Sequence, residues 1–168
     1  ISPYLGLERD NNLRINIDLD KLSKLKPAFD REKGTLTAGN SSPLTDGASC
    51  ILLASEEWAK KNNYPILAYI TFAELAAIEY VENKHNLLLA PIYASTRMLQ
   101  KAGLKLQDFD FYEIHEAFSA QVLATLKIWE SDELSKKFGF EKCLGSIDKM
   151  KLNVTGSSIP AGHPFAAT

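Results

Sequence analysis

The stretch YEIHEAFSAQVLA, residues 112–124, places a histidine and a glutamate between two different hydrophobic patterns. FDFYEI, which ends at residue 114, alternates apolar and polar side chains and predicts a strand. The period then changes, and apolar residues recur at the spacing of one helical face: Phe118, Val122, Leu126 and Trp129. His115 and Glu116 are therefore expected where a strand leads into a helix.

This position suits a functional histidine. Proteins that alternate strands and helices build sites at the ends of their strands, and an imidazole can donate or accept a hydrogen bond near neutral pH. Glu116 is predicted in the first helical turn, where the helix dipole favours a carboxylate. A structural interpretation remains open, in which His115 caps the helix and Glu116 serves only as a dipole partner.

A second histidine lies in AGHPFAAT, residues 161–168. Gly162 has no side chain, and Pro164 fixes its own φ and suits the first turn of a helix. His163 is therefore predicted to be held rigidly at another helix entrance, as a general base requires. The alternative is a histidine in an ordinary turn. His85, within ENKHNLL, is interpreted as a surface residue.

Composition excludes several classes of protein. The net charge is −2, from 19 basic and 21 acidic residues, so no nucleic-acid partner is expected. No apolar run approaches the roughly 20 residues that span a bilayer, so a membrane protein is not expected. Two cysteines fit a reducing compartment. Cys50, within the apolar GASCILLAS, is predicted to be a buried, inert thiol. No metal site is predicted.

The remaining patterns alternate strands with helices. Residues 34–47 are rich in Gly, Ser, Thr and Asn and form a predicted loop. Strands are predicted at 47–55, 66–72, 109–114 and 151–156, the first two of them buried. Helices are predicted after the cap Ser55, within 95–103 ahead of Gly103, from Glu116, and near 131–138. This order predicts an α/β layered fold. The chain begins with Ile1 rather than Met, so a processed chain or a piece of a longer one is expected.

Three of these stretches, in order, resemble the thiolase family. The first, GTLTAGNSSPLTDGA, resembles the family's loop that lies along the pantetheine arm of coenzyme A (CoA). The second, HEAF, resembles the Asn-Glu-Ala-Phe box of the family in the version that has His first. The third, NVTGSSIPAGHPFAAT, resembles the family's Gly-His-Pro box. The sequence is most similar to the thiolase subunit of the trifunctional β-oxidation complex and its bacterial relatives. The resemblance implies an incomplete thiolase-like layered αβα fold. It assigns residues 1–33 to an inserted loop domain, 34–63 to the end of the N-terminal half with the CoA loop, and 64–168 to a truncated C-terminal half.

The resemblance also implies an activity and site residues. Thiolases cleave 3-ketoacyl-CoA with a second CoA, by way of an acyl group held on a cysteine. His163 would activate that cysteine and face the thioester oxygen, and His115 would contribute to an oxyanion hole. CoA is a co-substrate, and no covalently bound cofactor is implied. The implied substrate and CoA contacts are Ser42, Ala38, Phe118, Phe165 and Leu87.

The chain also departs from the family pattern. Neither Cys50 nor Cys143 matches a catalytic cysteine of the family, so the chain alone is expected to be inactive in fatty-acid β-oxidation. Ser157 stands where the family has a glycine, and Pro160 is unusual before Gly-His-Pro. Two alternatives remain: a non-catalytic acyl-CoA-binding or assembly module, and a biosynthetic acetoacetyl-CoA thiolase.

The resemblance implies partners and a location for the full-length protein. It is expected to form a homodimer and to associate with a hydratase/dehydrogenase subunit. Its expected location is the cytoplasm in a bacterium and the mitochondrion in a eukaryote.

Overall fold

The computed structural model describes residues 2–79, 81–82, 87–164 and 167. Two compact units are present, one of Ile1–Gly47 with Lys105–Thr168 and the other of Ala48–Leu104. The described residues form six α-helices: α1 (Leu19–Ser23), α2 (Glu56–Lys61), α3 (Ala90–Ala102), α4 (Ser119–Glu130), α5 (Asp132–Lys137) and α6 (Ser158–Ala161). Short 3₁₀ helices lie at Leu87–Leu89, Leu106–Asp108 and Lys149–Lys151. None of the helices described is long and apolar enough to span a membrane.

Helix α4 carries the core of the first unit. Three residues of the predicted apolar face, Val122, Leu126 and Trp129, are buried, which confirms the helical pattern. Helix α5 begins where Ser131 accepts a hydrogen bond from the backbone N–H of Leu134. The Ser135 hydroxyl donates to the carbonyl of Ile128, 2.7 Å away, and holds α5 against α4.

Two predicted strands of this unit lie side by side but pair at only one point. Tyr112 and Leu152 form an isolated parallel bridge. The backbone N–H of Tyr112 donates to the carbonyl of Lys151, and that of Asn153 to the carbonyl of Tyr112, both at 2.8 Å. Parallel pairing is what an α/β order requires. No longer ladder is found among the described residues, so neither segment is assigned as a strand.

The second unit contains α2 and α3. Ser55 caps α2 as predicted, since its hydroxyl accepts from the backbone N–H of Trp58. Gly103 closes α3 at φ 66°, also as predicted. The predicted start of α3 at Ser95 or Thr96 is wrong, because the helix already begins at Ala90. Its fully buried Ile92 anchors the extra turn, and the Ser95 hydroxyl donates to the Ile92 carbonyl instead of capping.

The prediction of buried strands at 47–55 and 66–72 is wrong for the described structure. Residues 48–54 and 66–72 have no regular secondary structure. Ile51, Leu67 and Ile70 are 84%, 92% and 75% exposed. A buried strand needs hydrogen-bonded neighbours on both edges and covered faces, and the described residues do not provide them here. Cys50 is exposed for the same reason, contrary to the prediction.

Candidate active site

The two histidines of the predicted site lie against each other. The imidazole rings of His115 and His163 are stacked, with centroids 3.8 Å apart and ring planes 30° apart. His115 is solvent-exposed, and His163 is half-buried. Two segments far apart in the sequence therefore present both rings at one place.

The ring of His115 is hydrogen-bonded to a buried serine. Its Nδ1 lies 2.5 Å from the Oγ of Ser158, whose residue is only 1% exposed. The side chain of Gln121, on α4, donates to the His115 carbonyl at 3.3 Å. Both the ring and the backbone of His115 are therefore tied to neighbouring elements.

The carboxylate of Glu116 links the two histidine segments. It accepts hydrogen bonds from the Nδ2 of Asn153 at 2.8 Å and from the backbone N–H of Ile159 at 3.4 Å. Helix α4 begins only at Ser119, so the prediction that Glu116 lies in its first turn is wrong. The interpretation of Glu116 as only a partner of the helix dipole is also wrong, because its carboxylate oxygens accept hydrogen bonds from the segment that leads to His163.

His163 follows helix α6, which ends at Ala161, and Gly162 turns the chain between them at φ 82°. Pro164, the next residue, has a 3₁₀ conformation, and residues 165, 166 and 168 lie outside those described, so the helix entrance at His163 stays a prediction. The backbone N–H of Gly162 donates to the Ser158 carbonyl at 2.7 Å. A Cβ at this position would lie 2.0 Å from the Oγ1 of Thr45, so only glycine fits without displacement. The turn before His163 is therefore fixed at Gly162.

The Nδ1 atom of His163 is buried. No hydrogen-bond partner for it is found in the part of the chain that the structure describes. Buried polar atoms are almost always paired in native proteins, so this nitrogen is available for a group that the described residues do not supply.

The two departures from the family pattern cause no backbone strain. Ser157 has φ −157°, an extended conformation open to any residue, while the neighbouring Gly156 takes the left-handed one at φ 99°. Pro160 is the third residue of α6. Its missing N–H would have had no partner within the helix, so proline is tolerated there.

The predicted CoA loop packs beside the first histidine. The backbone N–H of Ser42 donates to the carbonyl of Ala117 at 3.0 Å, and Ser41 forms an antiparallel bridge with Phe118. The Phe118 ring meets Phe29 edge-on, with centroids 5.9 Å apart. Ala38 is an exposed residue of the same loop.

The far end of this loop reaches the second histidine segment. The Thr45 hydroxyl lies 3.4 Å from the Ala161 carbonyl, its hydrogen-bond acceptor. A Cβ built on Gly47 would lie 2.7 Å from a ring carbon of Pro164. The loop therefore contacts the segments of both histidines, and the structure brings together His115, His163, Ser42 and Phe118.

The other two predicted residues are not among the described residues of this unit. Leu87 belongs to the other unit, where it begins a 3₁₀ helix and is 52% exposed. Phe165 lies outside the described residues, as does His85.

The surroundings of His115 lower the pKa of its imidazole below the usual 6.5. Burial of part of the ring is the main cause, and the positive form of His163 adds to it, while the Glu116 carboxylate opposes both. The residue remains open to solvent on its other side. His115 is therefore neutral at about pH 7.

Sequence reasoning missed two residues that organise the site. Asn153 and Ser158 were part of a recognised box, but neither was given a role. Asn153 carries a usable signal, because asparagine is, after glycine, among the residue types that most readily adopt the left-handed conformation it has here, φ 50°. Ser158 carried no such signal, since its role depends on where His115 lies in space.

Comparison with known proteins shows the family. The sequence profile of the thiolase C-terminal domain matches residues 65–168, and that of the thiolase N-terminal domain matches residues 5–57. The 3-ketoacyl-CoA thiolase of Shewanella loihica is 45% identical over all of this chain and 38% of its own length. The enzyme of the same name from Alteromonas mediterranea is 48% identical over 99% of this chain, again 38% of its own length.

Solved structures give the same result. Bacillus anthracis acetyl-CoA acetyltransferase matches 96% of this chain and 36% of its own, at 36% identity and a TM-score of 0.76. The dimeric peroxisomal thiolase of Saccharomyces cerevisiae matches 92% of this chain and 34% of its own, at 35% identity and a TM-score of 0.69. Human mitochondrial 3-ketoacyl-CoA thiolase in complex with CoA matches 94% of this chain and 34% of its own, at 32% identity and a TM-score of 0.67.

These matches confirm the predicted α/β fold, of the thiolase-like class, in partial form. The chain belongs to the thiolase family. It spans 38% of the length of the two relatives named above.

Proposed function

We propose that this chain is part of a 3-ketoacyl-CoA thiolase of fatty-acid β-oxidation, in which it supplies the two histidines and the CoA loop. The stacking of His115 on His163, 3.8 Å apart, is the observation that carries the proposal. Two imidazoles at one point can divide the work of acyl transfer, one removing a proton and the other stabilising an oxyanion. The names of the two bacterial relatives, both 3-ketoacyl-CoA thiolases, support the substrate class.

In the proposed reaction, His163 takes the proton of a cysteine thiol supplied by the remainder of the full-length protein. The thiolate attacks the 3-keto carbon of the substrate, and cleavage of the adjacent carbon–carbon bond expels the enolate of acetyl-CoA, which takes up a proton from a general acid supplied by the remainder of the full-length protein. The acyl group stays on the cysteine until the thiolate of a second CoA takes it up. His115 donates a hydrogen bond to the oxygen that gains negative charge.

The proposed CoA contacts follow the loop of residues 34–47. Ser42 and Ala38 would touch the pantetheine arm, and Phe118 would form a wall of its tunnel. The hydrogen bonds between this loop and the start of α4 support the assignment, because they fix the loop beside His115. Leu87 and Phe165 are proposed for the acyl pocket on the resemblance alone.

The assembly and location of the full-length protein are also proposals. A homodimer is supported by the dimeric thiolase of Saccharomyces cerevisiae among the structural neighbours. Association with a hydratase/dehydrogenase subunit follows from the resemblance to the trifunctional complex. The bacterial sources of the two relatives favour the cytoplasm as the location.

The test is thiolysis by the complete gene product. We expect it to consume 3-ketoacyl-CoA substrates longer than acetoacetyl-CoA in the presence of CoA, and the 168-residue chain to show no turnover. His163→Ala and His115→Ala should each lower kcat/KM by roughly a hundredfold or more. Lys127→Ala, at an exposed position of α4, is the control and should keep full activity.

Two outcomes would favour the alternatives. CoA binding without turnover by the complete protein would indicate a binding or assembly module. Turnover restricted to acetoacetyl-CoA would indicate a biosynthetic thiolase.

A further inference from the structure

Ser158 places a hydroxyl group beside the Nδ1 atom of His115. It is the first residue of α6 and is 1% exposed, so water does not reach its hydroxyl. Its Oγ lies 2.5 Å from the Nδ1 of His115. A serine hydroxyl has one proton to donate, and a buried one must find its acceptor within the protein.

The neighbours of this hydroxyl decide the direction of the hydrogen bond. The backbone N–H of Glu116, 3.4 Å from Oγ, can only donate, so it occupies an acceptor position of the hydroxyl. Across residues 2–79, 81–82, 87–164 and 167, the one acceptor found for the hydroxyl proton is the Nδ1 of His115. If Nδ1 carried a proton instead, the buried hydroxyl proton would be left unpaired, which is costly.

We propose that Ser158 is a positioning residue that holds His115 in its Nε2–H tautomer, with the Nε2–H as a hydrogen-bond donor of the active site. In a neutral imidazole that accepts at Nδ1, the single ring proton is on Nε2. The lowered pKa of His115 keeps the ring neutral at about pH 7, so this choice of tautomer matters there. His163, stacked on the same ring, limits its rotation.

The role of the Nε2–H in catalysis rests on the proposed function. A fixed donor stabilises a developing oxyanion only if the proton is already on the correct nitrogen, because no reorganisation is then needed during the reaction. An imidazole free to exchange tautomers would present a lone pair for part of the time and would repel the oxyanion.

The experiment measures the tautomer directly. The complete gene product is labelled with ¹⁵N-histidine, and the ring nitrogen shifts of His115 are recorded by NMR at about pH 7.5, where the ring is neutral. We expect a protonated Nε2 and an unprotonated Nδ1. In Ser158→Ala we expect a mixture of tautomers. Ser135→Ala, which removes another buried serine hydroxyl, one bonded to the Ile128 carbonyl, is the matched control and should leave the His115 shifts unchanged.

The outcomes separate this inference from the proposed function. A wild-type His115 protonated at Nδ1, or an unchanged tautomer in Ser158→Ala, would overturn the inference whether or not the protein is a thiolase. If Ser158→Ala does not fold, the wild-type shifts alone decide. If thiolysis is observed, Ser158→Ala should lower kcat by roughly tenfold with little change in KM, while Ser135→Ala keeps both. A failure to find thiolysis would overturn the proposed function and leave the tautomer measurement valid.

Discussion

The side-chain amide of Asn153 pairs with both backbone groups of Ile114. Its Oδ1 accepts from the Ile114 N–H at 2.7 Å, and its Nδ2 donates to the Ile114 carbonyl at 3.0 Å. The same Nδ2 donates to the carboxylate of Glu116 at 2.8 Å. One side chain therefore extends the pairing that begins at the Tyr112–Leu152 bridge and fixes the residue before His115.

Asn153→Gly tests this pairing. Glycine keeps the left-handed backbone accessible, so the variant loses mainly the three side-chain hydrogen bonds. We expect the free energy of unfolding to fall by about 1–3 kcal/mol, because three hydrogen bonds to partly buried groups are lost. Urea unfolding followed by circular dichroism provides the measurement.

Asn63→Gly is the matched control for that variant. Asn63 has a similar backbone, φ 57° against φ 50° for Asn153, but it is exposed. A change of no more than a few tenths of a kcal/mol is expected. Equal losses for the two variants would show that Asn153 contributes nothing beyond its backbone conformation.

Gly162→Ala should disturb the turn before His163. The new Cβ would lie 2.0 Å from the Oγ1 of Thr45, and L-residues rarely adopt φ 82°. Gly139→Ala is the control, since Gly139 has the same φ and no heavy atom within 4 Å of such a Cβ. We expect Gly162→Ala to cost about 1–3 kcal/mol more than Gly139→Ala in thermal unfolding. Equal melting temperatures would contradict the close contact with Thr45.

Stability should fall in the acid range where His115 titrates. The pKa of His115 is about 6.5 in the unfolded chain and lower in the folded one. At pH values between the two pKa values, the unfolded chain therefore binds more protons than the folded chain. The free energy of unfolding therefore declines as pH falls through about 6.5 and levels off below the folded pKa. Burial is the main cause of the lowered pKa of His115. Of its charged neighbours, His163 lowers this pKa further and Glu116 raises it.

His115→Gln should flatten that part of the pH profile. The carboxylates with lowered pKa values, such as Asp132, titrate below their ordinary values of 3.8 to 4.5 and do not contribute in this range. Melting temperatures measured from about pH 7.5 down to about pH 5 provide the comparison. A variant that retains the wild-type slope would show that another group causes the decline.

The exposed apolar segments predict self-association of the isolated chain. Ile51 and Ile70 are 84% and 75% exposed, and their neighbours include further exposed apolar side chains. Such surface favours association. Replacing Ile51 and Ile70 by serine should shift sedimentation profiles toward monomer, and Glu57→Ser, at an exposed polar position, should not. A wild-type chain that sediments as a stable monomer at high concentration would contradict the prediction.

Local signals were sufficient for most helices. The hydroxyl of Ser55, the buried positions of α4 and the left-handed Gly103 lie where the sequence places them. Each depends on residues within a few positions of one another, so chain geometry alone determines the outcome. The buried strands failed because an apolar run shows that burial is favourable and does not show which neighbours will cover it.

The sequence by itself determined the family, through three boxes in order, and the local turns and caps. It also pointed to His115 and His163 as members of one site. Only the tertiary structure showed that Glu116 binds Asn153, that the Ser158 hydroxyl lies beside the Nδ1 of His115, and that Leu87 belongs to the other unit. A hydrogen bond between residues some forty positions apart depends on how two backbone segments cross, and no local pattern contains that information.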